Sequence, residues 1–204
     1  MRKQRDGEDT RERVLASARQ LFAEKGFNGT SLANISKDCG ISDGLILHHF
    51  KNKKNLYQAV LEQSAEEYTK VFVTVRESAG SPQEMMQAAM TAAFNFWKED
   101  STYQRLSLWS HLEGQNTFSD KEAQFTAGMA QMVGQLQQQG LMADQISPVV
   151  LMTMVIGPIH FWLRYREQFK ESLQMEGSID ELDEMFIGQL VQIISLLGKN
   201  EGSA

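Results

Sequence analysis

The 204-residue sequence has one cysteine, three prolines and four histidines. One cysteine excludes a disulfide scaffold and every zinc site built from several thiolates. So few prolines, beside 15 glycines, exclude collagen-like and linker-like chains. The opening MRKQRDGEDT lacks the apolar segment of a signal peptide. The longest apolar-leaning run, Val149 to Leu163, contains a Thr, a Gly, a Pro and a His. It is shorter than the roughly 18 residues a spanning helix needs. A cytoplasmic protein without a membrane partner is therefore expected. A basic excess is also lacking: the net charge of −6 excludes a uniformly basic, histone-like protein.

What is present is ordinary globular material, 42% hydrophobic and 23% charged. The charge is uneven. Residues 1–60 carry 11 Lys and Arg against 7 Asp and Glu, a net of +4, which leaves −10 for the rest. A basic head on an acidic body can meet a polyanion with one end only.

Strand-like alternation is almost absent, and apolar residues recur at helical spacing. Val14, Leu15, Ala18, Leu21 and Phe22 mark a helix over about 10–25, stopped by Gly26. A short helix follows Thr30-Ser31, either of which can cap it. A turn at Cys39-Gly40-Ile41 leads to a second short helix, capped by Ser42 and running to Phe50. A long helix is predicted over 53–78, then a break at Ala79 to Pro82 with Ser81 as cap. Further helices are predicted over about 82–98, 102–113, 119–139, 147–172 and 178–198. The fold class is all-α, about nine helices. A three-helix head (1–52) is expected to precede a larger helical body (53–204).

Two short helices joined by a Gly-containing turn have the shape of a helix-turn-helix, whose second helix enters a DNA major groove. Leu32, Ile35, Ile41, Ile46 and Phe50 can pack inward. That leaves Ser42, Asp43, Leu45, Leu47 and His48 facing out. An exposed Leu47 suits a face that meets thymine methyls or sugar edges.

The stretch GFNGTSLANISKDCGISDGLILHHFKNKKNLYQAVLE resembles the DNA-binding signature of TetR/AcrR-type transcriptional repressors. Gly26-Phe27, Thr30-Ser31, Ile35, Gly40-Ile41-Ser42, Gly44, His48-His49-Phe50, Lys53 and Leu56 carry the likeness in order and spacing. Leu47 stands where the family usually has a tyrosine that reaches a phosphate. Ser36 replaces a small alanine, and Lys54 replaces an acid. The resemblance implies double-stranded DNA as partner, read as a near-palindromic operator. Thr30 and Ser31 would offer a helix N-terminus to a phosphate, and Lys53 would bind another. Ser42, Asp43, Gly44, Leu45, Leu47 and His48 would line the groove, with Asn34 reaching it from the preceding helix. His49 would pack on the head's core. Arg2, Lys3 and Arg5 form a loose basic arm that follows the backbone, enters a minor groove or is a solvated tail.

In the body the resemblance implies a homodimer through the last two helices. The expected interface is Val155, Ile159, Trp162, Leu182, Phe186, Leu190, Ile193, Ile194 and Leu197; the alternative is that both helices are simply buried inside one monomer. It also implies a pocket for a hydrophobic small-molecule effector. Met90, Phe94, Trp97, Leu108, Trp109, His111, Leu112, Met129, Met132, Met152 and Phe161 are the candidate lining. Met-rich surfaces suit permissive apolar pockets, although a Met stripe is also ordinary core. Pro158 is expected to kink its helix.

The function expected is a repressor released from its operator when the effector binds. The alternatives are a ligand-independent DNA-bound dimer and a helical enzyme. Against the enzyme, none of His48, His49, His111 and His160 has Glu three residues before it, as a di-metal bundle site requires. HExxH, P-loop and GxSxG motifs are missing. No cofactor and no metal are expected.

Overall fold

In the computed structural model, the backbone is described over residues 2–78, 80–114 and 120–196. Side chains are described over the same spans except 2–6, 76–78, 82–83 and 120. The described residues form nine α-helices and no strand: α1 Arg2–Lys25, α2 Leu32–Cys39, α3 Asp43–Phe50, α4 Lys53–Ser78, α5 Pro82–Glu99, α6 Ser101–Leu112, α7 Asp120–Gln138, α8 Pro148–Ser172 and α9 Ile179–Leu196. Ser81 Oγ accepts from Glu84 N at 3.2 Å, so the cap expected before α5 forms. Arg2, Lys3 and Arg5, expected as a loose arm, have helical backbone, since α1 runs from Arg2.

The helices group into two compact units: Met1–Glu67 with Asp100–Ala123, and Tyr68–Glu99 with Gln124–Ala204. This grouping differs from a division at 52/53, because the first part of α4 and all of α6 join the head.

The core of the first unit is contiguous. Val14, Leu15, Ala18 and Phe22 of α1 meet Ile35 of α2, Ile46 and Phe50 of α3, Leu56, Tyr57 and Val60 of α4, and Leu106 of α6. Phe22 and Tyr57 meet edge to face, ring centres 4.9 Å apart. Burying side chains of this size stabilises by about 1.5–3 kcal/mol each.

In the second unit, α5, α8 and α9 pack on one another. Trp162 stacks on Phe186 with ring centres 4.8 Å apart, and Phe94 lies 6.2 Å from Phe186. Under this stack sits Asp183, 1% exposed. It accepts from Trp162 Nε1 at 2.8 Å and from Arg166, and Lys98 Nζ lies 3.1 Å away. Lys98 also binds Asp180 at 2.6 Å. That bond, and next the Asp183 bond, hold the ammonium's pKa above its ordinary value. A second cluster is aromatic: Tyr68 and Phe72 of α4, Phe96 and Trp97 of α5, and Phe125 of α7. Burial pushes the Tyr68 phenol up to about 12. His160 of α8 stands 4.3 Å from the Trp97 ring. Burial, helped by the Arg164 charge, lowers its imidazole to about 4.

The faces of α8 and α9 correct the expected dimer contacts. Ile159, Trp162, Leu182, Leu190 and Ile194 are buried within this chain, and Val155 and Phe186 are half-buried. Only Ile193 of the described set is exposed; Leu197 lies outside the described residues. The outward apolar row on α8 is instead Val150, Met154, Phe161 and Tyr165, and on α9 Met185, Ile193 and Leu196. Both helices are apolar on two sides, so spacing alone could not tell the inner side from the outer. α8 continues through Pro158 without a break. At 25 residues it is longer than its apolar run, and an 18-residue window reaches a mean hydropathy of 1.2 with 22% buried. Much apolar surface is therefore left uncovered within the chain.

Candidate nucleic-acid interface

The head's two short helices are set by local chemistry. Ser31 caps α2 through its Oγ, which accepts from Asn34 N at 3.1 Å. Asn34 Oδ1 in return accepts from Ser31 N at 3.2 Å, completing a capping box. Gly40 ends α2 with φ 68, a left-handed value that favours glycine, and its N–H donates to Ser36 O at 2.9 Å. Arg13 donates to the last carbonyl of α2, Cys39 O, at 2.7 Å. Ser42 then starts α3, and its side chain makes no capping bond.

On α3, Ile46 and Phe50 face the core, while Ser42, Asp43, Gly44, Leu45, Leu47 and His48 are all exposed. These are the residues expected to line a groove, and the structure brings them onto one outward surface. Ser31 and Asn34 are exposed beside it. His49 is half-buried, its ring 6.2 Å from Phe50.

Two expected phosphate ligands face the other way. Thr30 is 1% exposed, and its Oγ1 lies 2.8 Å from Gly26 O and 3.1 Å from Leu21 O. A hydroxyl held there closes the end of α1 and cannot reach DNA. Lys53 is half-buried. Its Nζ donates to Phe27 O at 2.8 Å and to Thr30 O at 2.9 Å, and sits 4.2 Å above the Phe27 ring. Its ammonium secures the α1–α2 loop from inside.

Three residues of α6 and its C-terminal cap hold the last turn of α1 and the loop after it, a role that the sequence alone did not reveal. Arg105 Nε and Trp109 Nε1 donate to Ala23 O at 2.8 and 3.2 Å. The Glu113 carboxylate accepts from Phe27 N and Asn28 N at 2.8 and 2.9 Å. A Cβ at Gly26, where φ is 73, would come within 2.7 Å of the Trp109 ring. Tyr57 OH donates to Leu106 O at 3.4 Å. Burial, with the Glu113 charge behind it, pushes this phenol up to about 12. The signal was there: residues 105, 109 and 113 repeat at four-residue spacing and so share one side of a helix.

Trp109 therefore packs on the head, which corrects its assignment to a pocket. Leu108, His111 and Leu112 are exposed in the first unit. In the second, Met90, Phe94 and Trp97 are buried core, and Met129, Met132 and Met152 are half-buried. Phe161 is exposed on α8. A groove of about 770 Å³ lies elsewhere, between α5 and α9, lined by residues including Gln87, Thr91, Glu184 and Gln192.

Comparison with known proteins agrees with this geometry. Residues 14–60 match the bacterial regulatory proteins of the tetR family, and residues 87–186 match the tetracyclin repressor-like C-terminal domain. The HTH-type transcriptional regulator UidR of Escherichia coli (strain K12) is 43% identical over 63 residues, 31% of this chain and 32% of UidR. That match thus spans about a third of the relative's length. Among solved structures, a TetR family transcription regulator from Marinobacter aquaeolei VT8 superimposes with a TM-score of 0.75 at 19% identity, covering 95% of this chain and 98% of its own. AibR, solved with isovaleryl coenzyme A and operator DNA, gives a TM-score of 0.67 at 18% identity, covering 91% and 97%. At such identities the likeness is one of fold. The matched families and relatives are regulators rather than enzymes. With a capped helix-turn-helix and two family domains in sequence order, the chain belongs to the TetR family of DNA-binding transcriptional regulators.

Proposed function

We propose that this protein is a cytoplasmic homodimeric repressor that leaves a near-palindromic operator when a hydrophobic small molecule binds its C-terminal body. In this reading residues 1–52 read DNA and residues 53–204 dimerise and sense the effector. The observation that carries it is the outward surface of α3, whose six exposed residues have no task in the core. Ser31 and the N-terminus of α2 remain the phosphate anchor, without Thr30 and Lys53. Two-fold pairing supplies the second half-site. The exposed apolar rows of α8 and α9 are the surface a second copy would cover.

Support for an effector comes from the long helix. α4 runs unbroken from Lys53, bound to the α1–α2 loop, to Tyr68 and Phe72 in the aromatic cluster. A ligand that prefers the shifted α4 would change the head's position and lower operator affinity. AibR was solved with both an acyl coenzyme A and DNA, which is in keeping with such a pairing of ligands. The packing of Tyr68 against four other rings favours a second reading, a DNA-bound dimer with a filled core and no effector.

The test is selection of fragmented host DNA by the purified protein at about 150 mM salt, which suppresses non-specific phosphate binding. One or a few near-palindromic sites are expected, and random recovery would overturn the repressor. Operator binding is then measured with and without an apolar metabolite extract. Weakened binding supports the effector; indifference leaves the filled dimer.

A further inference from the structure

We propose that Leu45 and Leu47 read the 5-methyl groups of thymines in the major groove, so that part of the operator's identity is written in methyl groups rather than hydrogen bonds. The inference rests on the DNA-binding reading of α3 and names what that surface recognises.

The core of the head does not need these leucines. Ile46 is fully buried and Phe50 nearly so, whereas Leu45 and Leu47 are 42% and 40% exposed. Successive helical residues turn by about 100°. Gly44 and His48 therefore sit in the middle of the outward surface, with Leu45 on one flank and Leu47 on the other. A Cβ at Gly44 would meet nothing within 4 Å, so the helix can lie close against a partner there. The surface thus presents two isobutyl groups astride Gly44 and His48.

A leucine cannot donate to a phosphate or to a base edge. Within a major groove the one apolar feature is the thymine methyl, and it belongs to a single base. The rest of the surface suits a groove. Asn34 uses Oδ1 on Ser31, which leaves its amide nitrogen as the donor end. Ser42 has no capping duty. Residues 1–60 carry a net +4. Polar readout is left to Asn34, Ser42, Asp43 and His48, and the leucines supply discrimination that these cannot.

The test uses the full chain and its selected site, synthesised with deoxyuridine in place of thymidine at one position per half-site at a time. Uracil keeps every hydrogen-bonding group and loses only the methyl. Removing one buried methyl should weaken binding about fourfold, and about 15-fold when both half-sites change together. The loss is expected at one or two positions in each half-site and not at the others. In Leu45→Ala and Leu47→Ala, checked for native helicity and assembly, the thymine-to-uracil ratio should fall toward one at the matching position. Indifference of the wild type to every uracil overturns the inference, as does an unchanged ratio in both variants. In those cases specific binding survives and only the methyl readout is lost. A failed selection is a separate outcome: it removes the DNA-reading role and this inference together.

Discussion

Thr30 in the first unit and Asp183 in the second are both 1% exposed, yet their partners differ in kind. Thr30 binds main-chain carbonyls at the end of α1, as do Arg105 and Trp109, and Lys53 binds two in the loop that follows. Asp183 binds side chains: Trp162, Arg166 and Lys98. Around Thr30 the first unit uses polar groups to finish its backbone, although Ser17 and Arg19 also bind side chains, Asp38 and Asp100. Around Asp183 the second unit uses them to hold helices to each other. A backbone cap leaves a short loop rigid and tolerates change beyond it. An ion cluster joins α5, α8 and α9, so losing one member leaves charges stranded in low dielectric.

The largest expected effect tests that contrast directly. Asp183→Ala strands Arg166 and the Trp162 N–H, leaves Lys98 only Asp180, and should destabilise the protein by about 3–5 kcal/mol in denaturant unfolding. A loss under about 1 kcal/mol would mean that the cluster is a surface network. Acid titration probes the second unit again. The His160 imidazole sits at about 4, below its ordinary 6.5. Between those values the unfolded chain takes up a proton that the folded one refuses. Stability should therefore fall as pH drops from about 6.5 to 4, by up to about 3 kcal/mol. His160→Gln should flatten that slope; an unchanged slope would assign it to other groups.

Phe161→Glu examines the outer side of the same unit. Phe161 is 57% exposed, so the fold should survive. Sedimentation should show association weakened by about 2 kcal/mol or more, as at an interface hot spot. Undisturbed dimers would place the interface elsewhere. The smallest effect belongs to the head. Ser31→Ala removes the α2 cap and should cost about 1 kcal/mol, read by exchange of amides in α1–α3, with the second unit untouched.

The contrast also explains what the sequence could tell. Gly26, Gly40, Ser31 and Ser81 sit at helix ends as local rules place them, and the nine helices fall close to where their spacing predicts. The outward residues of α3 were legible because Ile46 and Phe50 claim the inner side. Thr30 and Lys53 were not, because a hydroxyl or ammonium near a helix start suits a phosphate as well as a carbonyl. Only the closed loop decides. Trp109 was misplaced for a similar reason: its indole N–H finds Ala23 O 86 residues away in sequence. In α8 and α9 apolar residues lie on two sides of the helix, and partners on other helices pick the inner one.

The grip of α6 on the α1–α2 loop bears on how this head can be transplanted. A segment cut at residue 52 would leave Ala23 O, Phe27 N and Asn28 N without the side chains that serve them, and would bare the core where Leu106 packs. A chimera that grafts this DNA specificity onto a foreign sensor therefore has to carry residues 101–114 with it. Read this way, the unit of inheritance is not the contiguous head but a head with its distant buckle, and recombination between relatives should respect both pieces or neither.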